Sequence, residues 1–389
     1  MSLECQFINL YQFIDLCKNG NLNAAKKFLK ENPTINISAD NEDAFVFACF
    51  YGHLEVAQWL LLINPKIDIS ANNEDAFVWS CRNGHLEVAK WLLSIKPSID
   101  ISVQNEFAFR FACQNGHLEV AQWLYTIKPS IDISAENEYA FLGACIQGHL
   151  ELAQWLFSVK PSINVSAQNE YVFRCVCENG ILETAQWLLS VKPSINISAK
   201  NEDAFRYACA NGHLEVAQWL LTIKPNIDIS AENEFAFKLA CDYDHLEVAQ
   251  WLLSIKPTIN VSNDNEYAFR RACLKEHLEV AKWLQSLLPD KYELCIENNK
   301  IISYNIKQIL PISNNIVSLS YNSKEELVCP ICYDETKFVE IQTNCKHNFC
   351  KSCITDYYNH SITKYNSCKC PYCRQDVTEF YNLVLQSNT

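Results

Sequence analysis

No run of 18 consecutive apolar residues occurs in the 389-residue sequence, which leaves no segment able to cross a bilayer as a helix and argues against a membrane partner. The opening stretch, MSLECQFINLYQFIDLCKNG, has Glu4 and Asp15 where a secretory leader needs a basic region and an apolar core, so an intracellular protein of cytoplasm or nucleus is expected. Positive charge is also in short supply. With 32 Lys and Arg against 45 Asp and Glu the net charge is -13, which disfavours phosphate backbones and hence nucleic acid as a partner. Cysteine is plentiful at 20 residues, but the pattern of a disulfide framework is missing. Most cysteines either recur singly at one repeat position or fall in a C-terminal cluster, as reduced thiols do.

A hydrophobic content of 49% is ample for burial, and the length exceeds one ordinary core, so two or three domains or a repeat array are expected. The dipeptide Asn-Glu decides for an array: it opens a near-identical unit at Asn41, Asn73, Asn105, Asn137, Asn169, Asn201, Asn233 and Asn265, always 32 residues apart. In a degenerate copy before them, Phe13, Cys17, Gly20, Leu22, Ala25 and Pro33 keep register with Phe45, Cys49, Gly52, Leu54, Ala57 and Pro65. Nine units therefore span 9–296. Within a unit, Ala44, Phe45, Ala48 and Cys49 form one helical stripe and Leu54, Val56, Ala57, Leu60 and Leu61 a second, with Gly52 breaking between them. Lys96-Pro97 in the next copy stops the second helix, and the alternation Ile99-Asp100-Ile101-Ser102 predicts a short extended finger.

This unit, and GHLEVAQWLL at 52–61 above all, resembles the ankyrin repeat over about three quarters of the chain. The resemblance implies an all-α solenoid that holds a protein partner on its concave face and finger tips. It has departures: Asp-Ala-Phe replaces the usual Thr-Pro-Leu-His start, the finger lacks its glycine, and the period is one residue short. Asp244 and Glu276 replace the inter-helix glycine and Ile181 the recurrent histidine, so local deviations are expected in those units.

Several columns recur with the repeat. Cys49, Cys81, Cys113, Cys145, Cys177, Cys209, Cys241 and Cys273 lie among alanines and read as small buried hydrophobes rather than a metal or redox ladder. His53, His85, His117, His149, His213, His245 and His277 start the second helices, where hydrogen bonds between layers are expected. Trp59 and its seven counterparts predict stacked indoles between units, with a binding stripe as the alternative. Glu42 and its counterparts form a carboxylate column, and Arg110, Arg174, Arg206, Lys238 and Arg270 a basic one, which predicts solvated pairing of the two. Recognition is expected where identity varies between units, because the scaffold does not dictate those residues. Phe50, Tyr51, Arg82, Asn83, Asn115, Asn179 and Tyr243 vary at the end of the first helix, and Phe107, Tyr139, Tyr171, Phe235 and Tyr267 near its start. Residues 297–325 form a cap and linker, with a helix expected over 291–310 to cover the last unit.

Eight residues near the C-terminus remain: Cys329, Cys332, Cys345, His347, Cys350, Cys353, Cys370 and Cys373. Two residues between paired cysteines let one turn present both thiolates to a tetrahedral ion, so the run suggests two zinc ions; free or disulfide-bonded cysteines are the alternative. The run resembles the RING finger family, with 12 residues between Cys332 and Cys345 and 16 between Cys353 and Cys370. PHD-type fingers fit worse, because their histidine comes fifth. The resemblance implies a zinc-stabilised α+β domain over 326–376, in which Cys329, Cys332, Cys350 and Cys353 share one zinc and Cys345, His347, Cys370 and Cys373 the other. Cys368 is a spare thiol in this scheme. So small a finger buries little apolar surface, so zinc supplies most of its folding free energy.

RING fingers recruit a ubiquitin-conjugating enzyme with its ubiquitin. The family's contact positions fall here on Ile331, Tyr357, Pro371 and Arg374, with Tyr357 in place of the frequent tryptophan. The resemblance therefore implies a RING-type ubiquitin-protein ligase that acts by positioning, without a catalytic nucleophile or base, and whose array selects an unknown protein substrate. A non-enzymatic scaffold with a structural finger is the alternative. Near-identical repeats in an Asn- and Ile-rich composition also resemble repeat proteins of large DNA viruses, which implies the infected host cell as a setting.

Overall fold

The computed structural model describes residues 3–307 and three short strand segments at 341–343, 348–349 and 380–382. The chain forms two compact units, Met1–Ile259 and Asn260–Thr389. In the first, antiparallel helix pairs follow one another: α1 (Leu3–Lys18) with α2 (Leu22–Glu31), α3 (Ala39–Phe50) with α4 (Leu54–Ile63), α5 (Ala71–Arg82) with α6 (Leu86–Ile95), and α7 (Val103–Gln114) with α8 (Leu118–Ile127). The same pairing continues through α9 (Ala135–Ile146) and α10 (Leu150–Val159), α11 (Ala167–Glu178) and α12 (Leu182–Val191), α13 (Ala199–Ala210) and α14 (Leu214–Ile223), and α15 (Ala231–Asp242) and α16 (Leu246–Ile255).

The expected stripes form the core. Phe45, Ala48, Cys49, Ala57 and Leu60 are all 0% exposed, and the other units repeat the pattern. Each buried Phe contributes about 1.5–3 kcal/mol, while Ala48 and Cys49 let neighbouring first helices approach closely. The stacking of indoles on one another expected from sequence is replaced by a different packing. From Trp59 to Trp251 each indole lies tilted against the phenylalanine of the preceding repeat, Phe45 with Trp91 and Phe77 with Trp123 at 6.2 and 6.3 Å, because the Phe is the ring that projects into the gap between layers.

Between the helices of a pair, Gly84 has φ +81, and a Cβ there would stand 2.5 Å from Nδ1 of His117 in the next unit. The glycine therefore serves both the turn and the ring packed over it. His53 shows what that ring does: its Nε2–H donates to the Lys18 carbonyl at 2.9 Å, closing the end of the preceding first helix. The local deviations expected at Asp244, Glu276 and Ile181 do not occur. Asp244 and Glu276 take φ 67 and φ 61 without a glycine, and the helix after Ile181 starts in register at Leu182. Packing on both sides outweighs the roughly 1–2 kcal/mol of an L-residue in that conformation.

The finger also differs from expectation. Ile99 N–H donates to Lys96 O and Val103 N–H to Asp100 O, at 3.2 and 3.3 Å, so the segment after Pro97 is a pair of turns that buries Ile99 instead of an extended strand. It leads into three consecutive left-handed residues, such as Gln104, Asn105 and Glu106 with φ 53, 56 and 63, before the right-handed helix begins. Asparagine tolerates this region better than other non-glycine residues, which accounts for its recurrence at the corner.

That corner overturns the expected pairing of the carboxylate and arginine columns. Arg110 donates to the Asn105 and Gln104 carbonyls at 2.7 and 3.0 Å, and Arg174 and Arg206 grip their own corners and pair with Asp203. The glutamates turn inward instead. Glu74 is 9% exposed and accepts from Ser70 Oγ at 2.5 Å, while Lys96 bonds the same serine. The corner geometry thus points arginine to backbone and glutamate to a partly buried Lys–Ser–Glu relay.

In the second unit α17 (Asn263–Leu274) and α18 (Leu278–Leu287) repeat the pair, and β1 (Tyr292–Glu297) and β2 (Lys300–Ile306) follow as an antiparallel hairpin. This corrects the expected helix over 291–310. Asn298 and Asn299 take φ 49 and φ 64, the conformation of a two-residue type I′ turn, and the flanking alternation suits strands. Tyr292 is 0% exposed, stacks on Phe269 at 4.0 Å with 4° between the rings, and donates its hydroxyl to Glu266. It supplies the ring that the tryptophan of a following unit would provide. Lys291 pairs with Glu266 at 2.7 Å and closes the relay, because the usual lysine position is Leu288. A separate sheet has the order β4 (Asn348–Phe349), β3 (Ile341–Thr343), β5 (Phe380–Asn382), all antiparallel. The tether expected near 313–324 lies outside the described residues.

Candidate functional site

The variable positions at the ends of the first helices come together as a stripe of rings in the first unit. Tyr51 meets Phe50 at 4.6 Å, Phe50 meets Trp79 at 5.6 Å, Trp79 meets Phe107 at 5.8 Å, Phe107 stacks on Phe111 at 4.1 Å, and Phe111 meets Tyr139 at 5.4 Å. Arg82 lies over Trp79 and Phe111 at 4.7 and 5.2 Å, and Arg110 over Tyr139 at 5.3 Å. Cation–π contacts at these distances tie the arginines to the rings and give an amphipathic stripe of the sort partners use. Trp79 and Phe111 were missed from sequence, although both vary between units at one position of the first helix.

The other candidates have their own neighbours. Tyr171 is 38% exposed beside Arg174, at 5.8 Å; Phe235 packs on Tyr207 at 5.2 Å beneath Arg206; and Tyr243 is 46% exposed at the end of α15. Tyr267, in the second unit, lies under Arg271 at 6.0 Å. Three variable asparagines have a structural task instead. Asn83, Asn115 and Asn179 donate to the carbonyls of Phe50, Arg82 and Ile146 at 2.9, 2.9 and 3.1 Å, tying each layer to the one before.

The recurrent cysteines offer no nucleophile or ligand. Burial pushes the Cys17 thiol up to about 12 and raises those of Cys49, Cys113 and Cys209 well above the usual thiol value, so thiolate is absent at neutral pH. Among the described residues no group of three or more His, Cys, Asp and Glu could hold a metal, and no helix is long and apolar enough to cross a membrane.

The metal chemistry belongs to the C-terminal run. Cys329, Cys332, Cys345, His347, Cys350, Cys353, Cys370 and Cys373 lie outside the described residues, as do Ile331, Tyr357, Pro371 and Arg374. The donor set is seven thiols and one imidazole, which fits zinc and suits the hard cations calcium and magnesium poorly. In sequence Cys345 and His347 fall between β3 and β4, whose register sets Gln342 opposite Asn348, and Cys350 directly follows β4.

Comparison with known families agrees with both parts. Residues 61–137 and 141–233 match a family model of ankyrin repeats in three copies, and 237–285 one of ankyrin repeats in many copies. Residues 329–373, from the first ligand of the run to the last, match the C3HC4-type zinc finger, or RING finger. A search of curated proteins finds no match. Such repeats indicate protein partners, and such a finger binds zinc.

Proposed function

We propose, from the premise that the chain belongs to the ankyrin-repeat proteins and carries a C3HC4 RING finger at its C-terminal end, that it is a RING-type ubiquitin-protein ligase. The finger recruits a ubiquitin-conjugating enzyme, and the array holds the protein to be modified. The observation that carries this reading is the coincidence of the eight ordered ligands with the matched segment 329–373. Two zinc ions, held by Cys329, Cys332, Cys350 and Cys353 and by Cys345, His347, Cys370 and Cys373, would fix the finger's fold. Closed sites of this type leave no coordination position for substrate, so the chemistry rests with the conjugating enzyme's thioester. Ile331, Tyr357 and Pro371 form the proposed docking surface, and Arg374 bridges the enzyme to ubiquitin and restrains it in a reactive pose. The ring stripe from Tyr51 to Tyr139 is the proposed substrate platform.

The test is a purified reaction with activating enzyme, ubiquitin and a broad panel of conjugating enzymes. Zinc-dependent chain formation with at least one of them supports the reading, and none with any refutes it. A second reading, a scaffold whose finger only mediates assembly, is favoured by Tyr357 in place of tryptophan. It requires the same panel to give nothing while the finger stays folded.

A further inference from the structure

We infer that the array contains a socket for an arginine side chain of a partner protein, built around Leu142, Asn137, Glu138 and Tyr171. The repeat supplies its own template. Arg110 donates from Nε to the Asn105 carbonyl at 2.7 Å and from Nη2 to the Gln104 carbonyl at 3.0 Å, with its guanidinium 5.3 Å from the ring of Tyr139 in the next unit. Arg206 repeats the arrangement on the Asn201 and Lys200 carbonyls at 2.7 and 3.1 Å, with Phe235 of the next unit at 4.7 Å. Both side chains are buried. The left-handed corner thus presents two carbonyl oxygens in a fork, and the next layer adds an aromatic face.

One unit further along from Arg110 the equivalent residue is Leu142, which has no donor. The rest of the arrangement persists. Glu136 and Asn137 keep the left-handed corner, with φ 55 and φ 57, and Tyr171 of the next unit is 38% exposed. Gly143 stands where Phe111 flanks Arg110, which removes a further ring. A cleft of about 370 Å³ opens at this place, and Asn137, Glu138, Leu142, Gln168 and Tyr171 are among its lining residues.

Two cations already border the cleft, Lys160 bonding Ser134 Oγ and Arg174 lying 5.8 Å from the Tyr171 ring, and Glu138 is the carboxylate on its wall. Its counterparts in the flanking units, Glu106 and Glu170, are each only 8% exposed, whereas Glu138 is half-buried on the cleft wall, with Oε2 accepting from Ser134 Oγ at 2.6 Å. A carboxylate, a carbonyl fork and a π-face together complement a planar, positively charged donor. Guanidinium fits this set better than ammonium, which cannot span a fork in one plane. The excess of acidic over basic side chains in the chain, net charge -13, favours a basic partner in the same sense.

The inference rests on the array being the partner-binding part of the proposed ligase, but not on the finger transferring ubiquitin. Its test is therefore a binding titration, and a failure of ubiquitin transfer would leave the result standing. The probe is the pentapeptide Gly-Ser-Arg-Ser-Gly, added to full-length protein labelled with fluorotyrosine, the Tyr171 resonance being assigned from Tyr171→Phe. Saturable movement of that resonance is expected with the arginine peptide and not with its citrulline analogue, which keeps the shape and loses the charge. Leu142→Arg, whose own guanidinium would fill the socket, should weaken binding at least about tenfold while its thermal midpoint stays at or above that of the unmodified protein. If Leu142→Arg does not fold, Glu138→Gln makes the same comparison, with several-fold weaker binding expected. No saturable shift, equal response to citrulline or lysine peptides, or undiminished binding by the folded variant would each overturn the inference.

Discussion

Replacing Tyr292 should expose how the array is closed at its C-terminal end. The ring is 0% exposed, stacks on Phe269 at 4.0 Å and donates its hydroxyl to Glu266. Tyr292→Ala removes a fully buried aromatic side chain, a loss of about 3–5 kcal/mol at core sites. Tyr292→Phe keeps the stack and deletes only the hydroxyl, while Lys291 still pairs with Glu266 at 2.7 Å. Its expected cost is the smaller value for a hydrogen bond to a charged group, about 1.5–3 kcal/mol. Repeat arrays lose stability locally, so the effect should fall mainly on α17 and α18. Native-state hydrogen exchange reads this directly. At about 1.4 kcal/mol per tenfold, amides in α17 and α18 should exchange roughly two to four orders of magnitude faster in the alanine variant, and roughly one to two in the phenylalanine variant. Acceleration below tenfold for Tyr292→Ala, or equal effects of the two variants, would refute the hairpin as a cap.

Two further outcomes follow from the geometry. Burial lowers the pKa of His85, His117 and His213 from the usual 6.5, with neighbouring histidines adding to the effect at His85 and His117 and backbone carbonyls opposing it. Because the folded values lie below the unfolded one, the array has their full contribution above pH 6.5 and loses it as pH falls from there through the lowered folded values. The urea midpoint should therefore be lower at about pH 5.5 than at about pH 7.5, and His117→Gln should flatten the difference; a rise in the midpoint of the unmodified protein on acidification would contradict this. Chelation of zinc should open the segment 326–376 to protease while the far-UV helical signal of the array persists, since the described helices hold no metal site. Loss of that helical signal together with the zinc would contradict the reading.

The helix pairs were legible because Ala44, Phe45, Ala48 and Cys49, and Val56, Ala57 and Leu60, repeat an apolar stripe that only a helix can bury on one side. The corner between units was not, since three left-handed residues at Asp40, Asn41 and Glu42 run against ordinary propensity, and only the recurrent asparagine hinted at them. That one local feature redirected both charged columns, arginine to backbone and glutamate to the interior. Asn298-Asn299 is a readable hairpin signal between alternating strands, and it outweighs the expectation of a helical cap that the helical array suggests. On the candidate binding surface, variation between units pointed to Phe50, Tyr51, Arg82, Phe107 and Tyr139, which Trp79 and Phe111 link into one stripe. It also pointed to Asn83, Asn115 and Asn179, whose side chains tie the layers together. Variation alone does not separate a side chain that faces a partner from one that faces the next repeat.

The central claim is that the finger restrains a conjugating enzyme's ubiquitin through Arg374, and single-turnover discharge tests it most directly. A conjugating enzyme preloaded with ubiquitin thioester is mixed with free lysine, with and without the full-length protein. The account predicts acceleration of discharge by at least about tenfold, loss of most of it in Arg374→Ala, and zinc content and helical signal unchanged in that variant. Discharge no faster with the protein than without it, for every conjugating enzyme tried and with zinc bound, would contradict the account.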